Sequence, residues 1–341
     1  MENSDEEIAK RAINNKLQSV AIGARREFIG NLKLSQKKLI NFNKLKSQKL
    51  NMEVYDIKHT TDPAFGVLLW QNGTALHRLD RDAKNIVGAG TGTWNFYHDI
   101  FARNSIDNLG MLLKHYIHYG NTEDDMNNAM WDGQQMLYGD GDGKIFGSFT
   151  TDIDIIGHEL THGITQFESN LDYANQSGSL NESLSDVFGI MIKQRMLNQD
   201  VNQSNWLIGE NVLLGNKYAL RSLKAPGTAY VNHPYIGTDP QPATMDDFIN
   251  LPNTPQGDYG GVHFNSGIPN FAFYVTAITI GGFAWEKAGK IWYNAMVDKK
   301  LKRNATFKDF KNLTLAKAKA LYGTNSKEYK ATVKGWKEAK V

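Results

Sequence analysis

The sequence predicts an α+β protein of two domains, with a β-rich N-terminal half and a mostly helical C-terminal half. Its length of 341 residues, at 38.3 kDa, suits two domains of ordinary size. Short β-branched and aromatic runs bounded by glycine turns dominate residues 54–149, whereas helical periodicity dominates from residue 150 onward. A composition with 41% hydrophobic and 22% charged residues is typical of a folded globular chain.

The composition excludes several kinds of site. The chain has no cysteine, which rules out disulfides, thiolate zinc sites and a cysteine nucleophile. A net charge of +2 gives no overall electrostatic basis for nucleic-acid binding. The longest uncharged apolar stretch, 268–285, contains Asn270, Gly281 and Gly282, so we predict a buried helix there and no membrane span.

Residues 1–50 differ from the rest of the chain. They hold eleven Lys or Arg against five Asp or Glu, whereas the remainder is net acidic. Apolar residues recur at helical spacing from Ile8 to Phe28, and Ser4 with Glu7 forms a capping pattern. We therefore predict a basic, detachable helical arm before an acidic body. The alternative is a helical extension that only packs on the surface.

The first half of the body is predicted to consist of strands joined by glycine turns, with one helix over 93–103. The runs predicted as strands are 54–60, 65–73, 111–120, 128–141 and 145–149. The glycine-rich run 88–92 lacks the lysine of a phosphate-binding loop and is predicted to be a flexible turn. His115 and His118 are three apart on a predicted strand, so they are expected to be core or surface residues, not metal ligands.

Two further local patterns are predicted to be structural. Asp140 and Asp142 begin like a calcium loop, but Thr151 stands where the last ligand should be a glutamate, which favours a turn between strands. In the helical half, Thr306 with Asp309 predicts the start of a helix that ends before Gly323. Ser326 begins the last helix.

The motif that carries chemistry is His-Glu-Leu-Thr-His at 158–162. Helical residues four apart share one face, so His158 and His162 can bind one ion while Glu159 lies beside it. Catalytic zinc needs a third protein ligand and an open position. Glu168, six residues past His162, would face away on a continuing helix.

Glu182 is the better candidate for the third ligand. It lies twenty residues after His162, in a helical run that is predicted to begin after a turn at Gly178. Asp186 follows one helical turn later on the same face, where its carboxylate can orient a zinc-bound imidazole.

Five short motifs, two of which contain the candidate zinc ligands, extend the pattern that begins with the HExxH sequence. They are HELTHG (158–163), NESLSD (181–186), NNAMWDG (127–133), YGDGDG (138–143) and GGVHFNSGI (260–268). Together they make residues 54–341 resemble the thermolysin-like neutral metalloproteases, a zincin family. The basic arm followed by VYDIKHT resembles the protealysin branch, which carries a short propeptide.

The resemblance implies a zinc endopeptidase whose active-site cleft and HExxH helix lie between the two halves. The implied domains are an arm at 1–50, a mixed α/β domain at 51–166 and a mostly helical domain at 167–341. The implied zinc ligands are His158, His162 and Glu182, supported by Asp186 and Asn181. The implied catalytic residues are Glu159, His263, Tyr173 and Asp258.

The resemblance also implies how substrate is bound. Asn128 and Ala129 match the edge strand that pairs with the substrate backbone, and Arg221 matches a residue that bonds a substrate carbonyl. The residues matching the pocket for the side chain after the cut are Phe146, Phe149, Ile155 and Leu220. All four are apolar, so we expect cleavage before Leu, Ile, Val, Met or Phe.

The chain departs from the family at the paired calcium site. Asp154 and Glu210 match the acidic cluster, but Lys193, Asn205 and Leu207 stand where the family often has acids. A fixed ammonium group opposes binding of a second divalent cation. We therefore expect this calcium site to be lost, with Lys193 paired to Asp154 or Glu210.

Partners and location follow from the same resemblance. We expect protein and peptide substrates, the arm as an inhibitor or chaperone of its own body, and neither nucleic acid nor membrane as a partner. The family acts outside the cell, but MENSDEEIAKR predicts no classical signal peptide, which leaves cytoplasmic storage and non-classical export open. The alternative function is a non-catalytic zinc protein that binds peptides or acts in adhesion.

Overall fold

The computed structural model of the protein describes residues 49–215 and 218–341. The predicted arm, including its helix and the Ser4 cap, lies outside these residues. Within them, a sheet-rich N-terminal part leads into a helical C-terminal part, which confirms the predicted α+β fold class. No helix of the described ranges is both long and apolar enough to cross a membrane.

A five-stranded mixed sheet forms the N-terminal half. Its strands are β1 (Met52–Asp56), β2 (Val67–Gln71), β3 (Leu113–Tyr119), β4 (Ala129–Trp131) and β5 (Met136–Gly139). The strand order is β2-β1-β3-β5-β4, in which β1, β3 and β5 are parallel neighbours. The antiparallel strands β2 and β4 form the two edges. The C-terminal ends of the parallel strands therefore lie at the same end of the sheet. The outer side of the edge strand β4 lies beside the helical half.

Two local predictions in this half are wrong. Residues 145–149, all described, form only an isolated bridge from Phe146 to Leu213. The glycine-rich run 88–92 lies inside α1 (Arg81–Phe101) and is not a turn. Tight packing accounts for two of the three glycines, because a β carbon on Gly90 would lie 2.8 Å from the Met52 sulfur and one on Gly92 would overlap the Met196 sulfur, whereas Gly88 faces open space.

The strand β3 carries two histidines in different surroundings. His115 is fully buried, with Nδ1 3.0 Å from the hydroxyl oxygen of Tyr138. His118 is partly exposed and has a φ of 58°, so its side chain leaves the alternation of the strand. His115 is therefore a core residue and His118 a surface residue.

Helices build the rest of the molecule. They are α2 (Glu123–Met126), α3 (Ile153–Phe167), α4 (Asn175–Met196), α5 (Asp258–Asn265), α6 (Gly267–Ile280), α7 (Ala288–Met296), α8 (Phe307–Tyr322) and α9 (Lys327–Glu338). A short ribbon of β6 (Leu207–Ile208) and β7 (Arg221–Ser222) and 3-10 turns at Pro63–Phe65, Met245–Asp247 and Pro255–Gly257 complete it. A capping box at Thr306 and Asp309 begins α8, and Ser326 caps α9, as predicted.

The helices α3 and α4 form the centre of the molecule. Gly189 of α4 lies so close to α3 that an added β carbon would be 2.5 Å from the carbonyl oxygen of Asp154. The turn predicted at Gly178 is wrong, because α4 already begins at Asn175. Glu168 directly follows α3 and binds Arg103 with an Nη1–Oε1 distance of 2.7 Å, so it does face away from the motif.

Candidate active site

The helices α3 and α4 bring the three predicted zinc ligands together. The Nε2 atoms of His158 and His162 lie 2.9 Å apart. Carboxylate oxygens of Glu182 lie 3.4 Å from Nε2 of His158 and 3.3 Å from Nε2 of His162. All three residues are buried. Zinc bonds of about 2.0–2.1 Å in a tetrahedral site place neighbouring ligand atoms roughly 3.3 Å apart, so this triangle has the size that zinc requires.

The hydrogen bonds behind the imidazoles fix their ring nitrogens. Nδ1 of His158 lies 2.8 Å from Oδ1 of Asp186, and Nδ1 of His162 lies 2.9 Å from Oδ1 of Asn181. Because both oxygens accept, each Nδ1 donates its proton and each Nε2 presents a lone pair. Two lone pairs directed at each other over such a short distance repel unless a cation lies between them. The donor set therefore fits zinc.

The charges of the buried carboxylates suit the same site. Burial raises the pKa of Glu182, but its interactions with His263, His162 and His158 outweigh this and hold it well below the usual value. Burial likewise raises the pKa of Asp186, and the Arg221 guanidinium and His158 more than reverse this effect. Both groups are therefore anionic at neutral pH, as a zinc ligand and its supporting residue should be.

Asp186 also links the zinc triangle to the helical half. It accepts two hydrogen bonds from Arg221, from Nε and Nη2, both at 2.8 Å, and a third from Nδ2 of Asn270 at 2.9 Å. Arg221 lines the cleft as predicted. Its guanidinium is at the same time held by Asp186, a contact that the sequence did not indicate.

Glu159 lies beside the triangle and is fixed by the sheet. Its Oε2 accepts a hydrogen bond of 2.9 Å from the backbone N–H of Trp131 in β4, while its Oε1 lies 3.9 Å from Nε2 of His158. The edge strand thus holds one oxygen of the carboxylate and leaves the other near the zinc ligands. This backbone contact had no signal in the sequence, although Trp131 belongs to a motif that we singled out.

His263, Tyr173 and Asp258 meet beside Glu182. Nδ1 of His263 lies 2.6 Å from Oδ1 of Asp258, and Nε2 lies 3.1 Å from the hydroxyl oxygen of Tyr173. The Tyr173 hydroxyl also donates to Glu182. Burial lowers the pKa of His263, but the negative charges of Asp258 and Glu182 outweigh this and raise it. The His263 ring and the Tyr173 hydroxyl therefore lie together beside Glu182.

An unusual turn places His263. Its backbone passes through positive φ at Tyr259 (43°), Gly260 (88°) and Gly261 (77°). A β carbon on Gly260 would lie 2.4 Å from Oδ1 of Asn175, so only glycine fits against the start of α4 there.

The cleft contains all the predicted substrate-binding residues. Asn128, Ala129, Phe146, Phe149, Ile155, Leu220 and Arg221 line one cavity of about 160 Å³ together with the zinc ligands, Glu159, Tyr173 and His263. The sequence reasoning missed further lining residues, namely Asn127, Tyr230, Ile236, Asp239, Pro240, Gln241 and Phe264. Most of these lie on an irregular loop before α5, which has no periodicity that could have marked it.

The predicted partners of Lys193 are also found. Its Nζ lies 2.9 Å from Oδ2 of Asp154 and 2.5 Å from Oε2 of Glu210. Burial lowers the pKa of Lys193, but the two carboxylates outweigh this and raise it. Asn205 also donates to Glu210, over 2.8 Å. An ammonium group therefore occupies the centre of this acidic cluster.

Comparisons with known proteins agree with the geometry. The family described as thermolysin metallopeptidase, catalytic domain, matches residues 26–166, and its alpha-helical domain matches residues 169–341. Protease PrtS of Photorhabdus sp. (strain Az29) is 46% identical over 294 residues, which cover 86% of this chain and 76% of that protein. An extracellular metalloprotease of Pectobacterium carotovorum subsp. carotovorum is 51% identical over 228 residues, covering 66% of this chain and 63% of its own.

A solved structure is similar along almost the whole chain. The precursor of protealysin, a metalloproteinase from Serratia proteamaculans, superimposes with a TM-score of 0.80 at 40% identity, and the match covers 94% of this chain and 97% of that one. The zinc-type ligand triangle, the matched family ranges and these relatives lead to one conclusion: the chain belongs to the thermolysin metallopeptidase family, in its protealysin-like branch, and is a zinc metalloendopeptidase.

Proposed function

We propose that the protein cleaves peptide bonds inside extended substrates, prefers a hydrophobic residue directly after the cut, and is made as a precursor. The observation that carries the proposal is the position of Glu159 between the zinc ligands and the edge strand, with His263 and Tyr173 beside Glu182. A protein that only binds peptides needs neither a general base nor donors for a developing negative charge. This disfavours the non-catalytic alternative.

The side chains divide the chemistry between them. A zinc ion, when bound by His158, His162 and Glu182, would acidify water and polarise the scissile carbonyl. Glu159 Oε1 lies 3.9 Å from Nε2 of His158, near enough to the zinc ligands to take a proton from the attacking water and pass it to the leaving amine. The N–H of His263 and the hydroxyl of Tyr173 would stabilise the negative charge that develops on the carbonyl oxygen.

The edge strand β4 is suited to hold an extended substrate. The Gly139 N–H donates to the Asn128 carbonyl over 2.8 Å, so the alternating pairing of antiparallel strands turns the backbone groups of Ala129 toward the free edge. The Trp131 N–H faces the same way and reaches Glu159. A peptide pairing with β4 would pass directly over the zinc ligands, as in other cases of strand addition.

The cleft wall supports the substrate preference. The rings of Phe146 and Phe149 lie 5.8 Å apart, and Ile155 and Leu220 line the same cavity. Burying a charged side chain against these four residues would be costly. We therefore infer cleavage before Leu, Ile, Val, Met or Phe.

Replacement of Glu159 tests the mechanism. Glu159→Gln should keep one zinc per chain and lower kcat/KM on a labelled peptide by about 10²–10⁴-fold, because the amide cannot accept the proton. The control is Glu286→Gln, an exposed site away from the cleft, which should retain full activity. Zinc is measured by elemental analysis. Full activity in a Glu159→Gln chain that contains zinc would refute the mechanism.

A chelator assay separates the two functions. Casein hydrolysis that stops on zinc removal and returns on zinc addition supports the endopeptidase. Peptide binding without hydrolysis in the zinc-loaded chain would instead support the binding protein. Fragment sequencing in the same assay tests the substrate preference, because new N-termini should be apolar.

The precursor proposal concerns the basic arm, 1–50. A cut before Leu50, Met52 or Val54 would suit an apolar pocket. Met52 and Val54 are buried and paired within β1, whereas Leu50 precedes it, so a cut before Leu50 is the most accessible of the three. We infer that the arm inhibits or chaperones the body and that the mature enzyme acts outside the cell. Mass spectrometry tests this, since a persistently intact chain in an active preparation would refute arm removal.

We also propose that Lys193 replaces calcium. Its ammonium group binds Asp154 and Glu210, the two acids that remain in the cluster, and Asn205 and Leu207 offer no further carboxylates. The melting temperature should therefore be the same in calcium and in a calcium-specific chelator. A calcium ion found between Asp154 and Glu210 in a crystal grown with calcium would refute this.

A further inference from the structure

Four side chains that the active site does not use lie together at the C-terminal ends of the parallel strands. His59 follows β1 by three residues, His118 lies at the end of β3, and Asp140 directly follows β5. Neighbouring parallel strands end at the same edge of a sheet, where ligand sites commonly form. Asp80, the N-terminal cap of α1, lies against the same group.

The distances within this cluster are those of converging ligands. Nδ1 of His118 lies 2.8 and 3.0 Å from the two carboxylate oxygens of Asp140. Nδ1 of His59 lies 3.6 Å from Oδ2 of Asp140. One ligand atom from each of the three residues falls within 4.8 Å of the others. Both histidines have a left-handed backbone, with φ of 54° for His59 and 58° for His118, which turns their rings toward Asp140.

A further carboxylate lies behind the His118 ring. Oδ2 of Asp80 is 3.4 Å from Nε2 of His118, while its Oδ1 caps α1 through the Ala83 N–H at 2.7 Å. When His118 carries its proton on Nε2 and donates it in a hydrogen bond to Asp80, the Nδ1 lone pair faces Asp140 and His59. Asp186 holds the outer nitrogen of His158 in the same way, and such outer carboxylates fix the tautomer of metal-binding histidines.

We propose that His59, His118 and Asp140 form a second metal site, for a zinc-like divalent transition-metal ion, with Asp80 orienting His118. Two imidazoles and one carboxylate suit zinc, nickel or copper(II), whereas calcium and magnesium prefer oxygen ligands alone. The cluster is open to solvent, since the exposed fractions of the His59 and Asp140 side chains are 59% and 28%. Water can therefore complete the coordination.

Protons compete with the ion for this site. Without metal, the hydrogen bond to Asp140 raises the pKa of His118 to about 9, against an opposing effect of burial, and Asp80 and Asp56 add to the increase. His59 and Asp82 are the further titratable groups that lie close to the ring. An incoming ion must displace the proton from Nδ1, so binding should tighten as pH rises toward this value.

Equilibrium dialysis of the full chain tests the proposal. The chain, first loaded with its catalytic zinc, is dialysed against increasing free zinc, and the metal per chain is measured by elemental analysis. The native chain should bind two zinc ions, and His59→Asn, His118→Asn and Asp140→Asn should each bind one. His98→Asn is the matched control, because His98 also pairs with a carboxylate, Asp99 at 3.1 Å, but belongs to no three-ligand cluster of the described residues.

Two results would overturn the proposal. One is a native chain that stays at one zinc over the whole titration. The other is a second zinc that persists in the His59→Asn and Asp140→Asn variants. These residues do not line the cleft, so peptidase activity in each variant shows that it is folded. His59 is also exposed, so its replacement leaves the packing intact. A rise in melting temperature with the second zinc, seen in the native chain and His98→Asn only, is the supporting readout.

Discussion

At the scale of single residues, the side chains behind the zinc ligands determine which nitrogen faces the ion. Asn181 and Asp186 each accept a hydrogen bond from an Nδ1 atom and so leave the Nε2 lone pairs for zinc. Asp186 also accepts hydrogen bonds from the partly buried guanidinium of Arg221. Its loss would therefore disturb both zinc binding and the packing of α4, whereas Asn181 serves mainly the ligand His162.

Replacement of Asn181 should therefore weaken zinc binding selectively. Asn181→Ala removes the acceptor that fixes the His162 tautomer, and loss of such a partner typically costs about 10–100-fold in metal affinity. Competition with a zinc chelator measures the effect. Ser185→Ala on the same helix is the control, because the buried Ser185 hydroxyl has no hydrogen-bond partner among the described residues. Equal zinc affinity in both variants would contradict this role.

At the scale of elements, β3 places two histidines in opposite electrostatic settings. Burial lowers the pKa of His115 to about 3, whereas the carboxylate of Asp140 raises that of His118 to about 9. A buried neutral histidine destabilises the fold in acid, because the unfolded chain binds a proton that the folded chain rejects. His115 therefore lowers the stability of the fold as pH falls, whereas the stabilising contribution of His118 is lost as pH rises.

Replacement of His115 isolates its contribution to the loss of stability at acidic pH. Between the usual pKa of 6.5 and the folded value of about 3, the native chain loses stability as pH falls. His115→Gln can keep the contact to Tyr138 but does not ionise, so the native chain should lose about 3 kcal/mol relative to this variant between pH 6.5 and about pH 4. Urea unfolding of both zinc-loaded proteins measures this. Parallel stability curves would contradict it.

At the scale of the whole molecule, the proposed zinc ligands come from both matched family regions. His158 and His162 lie on α3 in the first, and Glu182 lies on α4 in the second. Zinc binding should therefore stabilise both regions together. At about a thousandfold excess over the dissociation constant, a ligand adds about 4 kcal/mol to stability.

Zinc removal should accordingly lower the melting temperature by roughly 10 °C. Calorimetry of the chain with and without a zinc chelator measures the shift. In Glu182→Ala, which lacks the proposed ligand from α4, zinc removal should lower the melting temperature by less. An undiminished shift in that variant would show that the stabilising zinc lies elsewhere, and His118→Asn would then test the second cluster.

The sequence determined the chemistry and most of the elements, because both depend on local spacing. Residues four apart on a helix fix the relation of His158 to His162, and short β-branched and aromatic runs mark β1, β2 and β3. Only the tertiary structure decided how distant groups meet. Glycine packing inside α1, the Trp131 N–H on Glu159, the cleft loop from Tyr230 to Gln241, and the cluster around Asp140 all depend on close approach between elements far apart in sequence, which no local periodicity encodes.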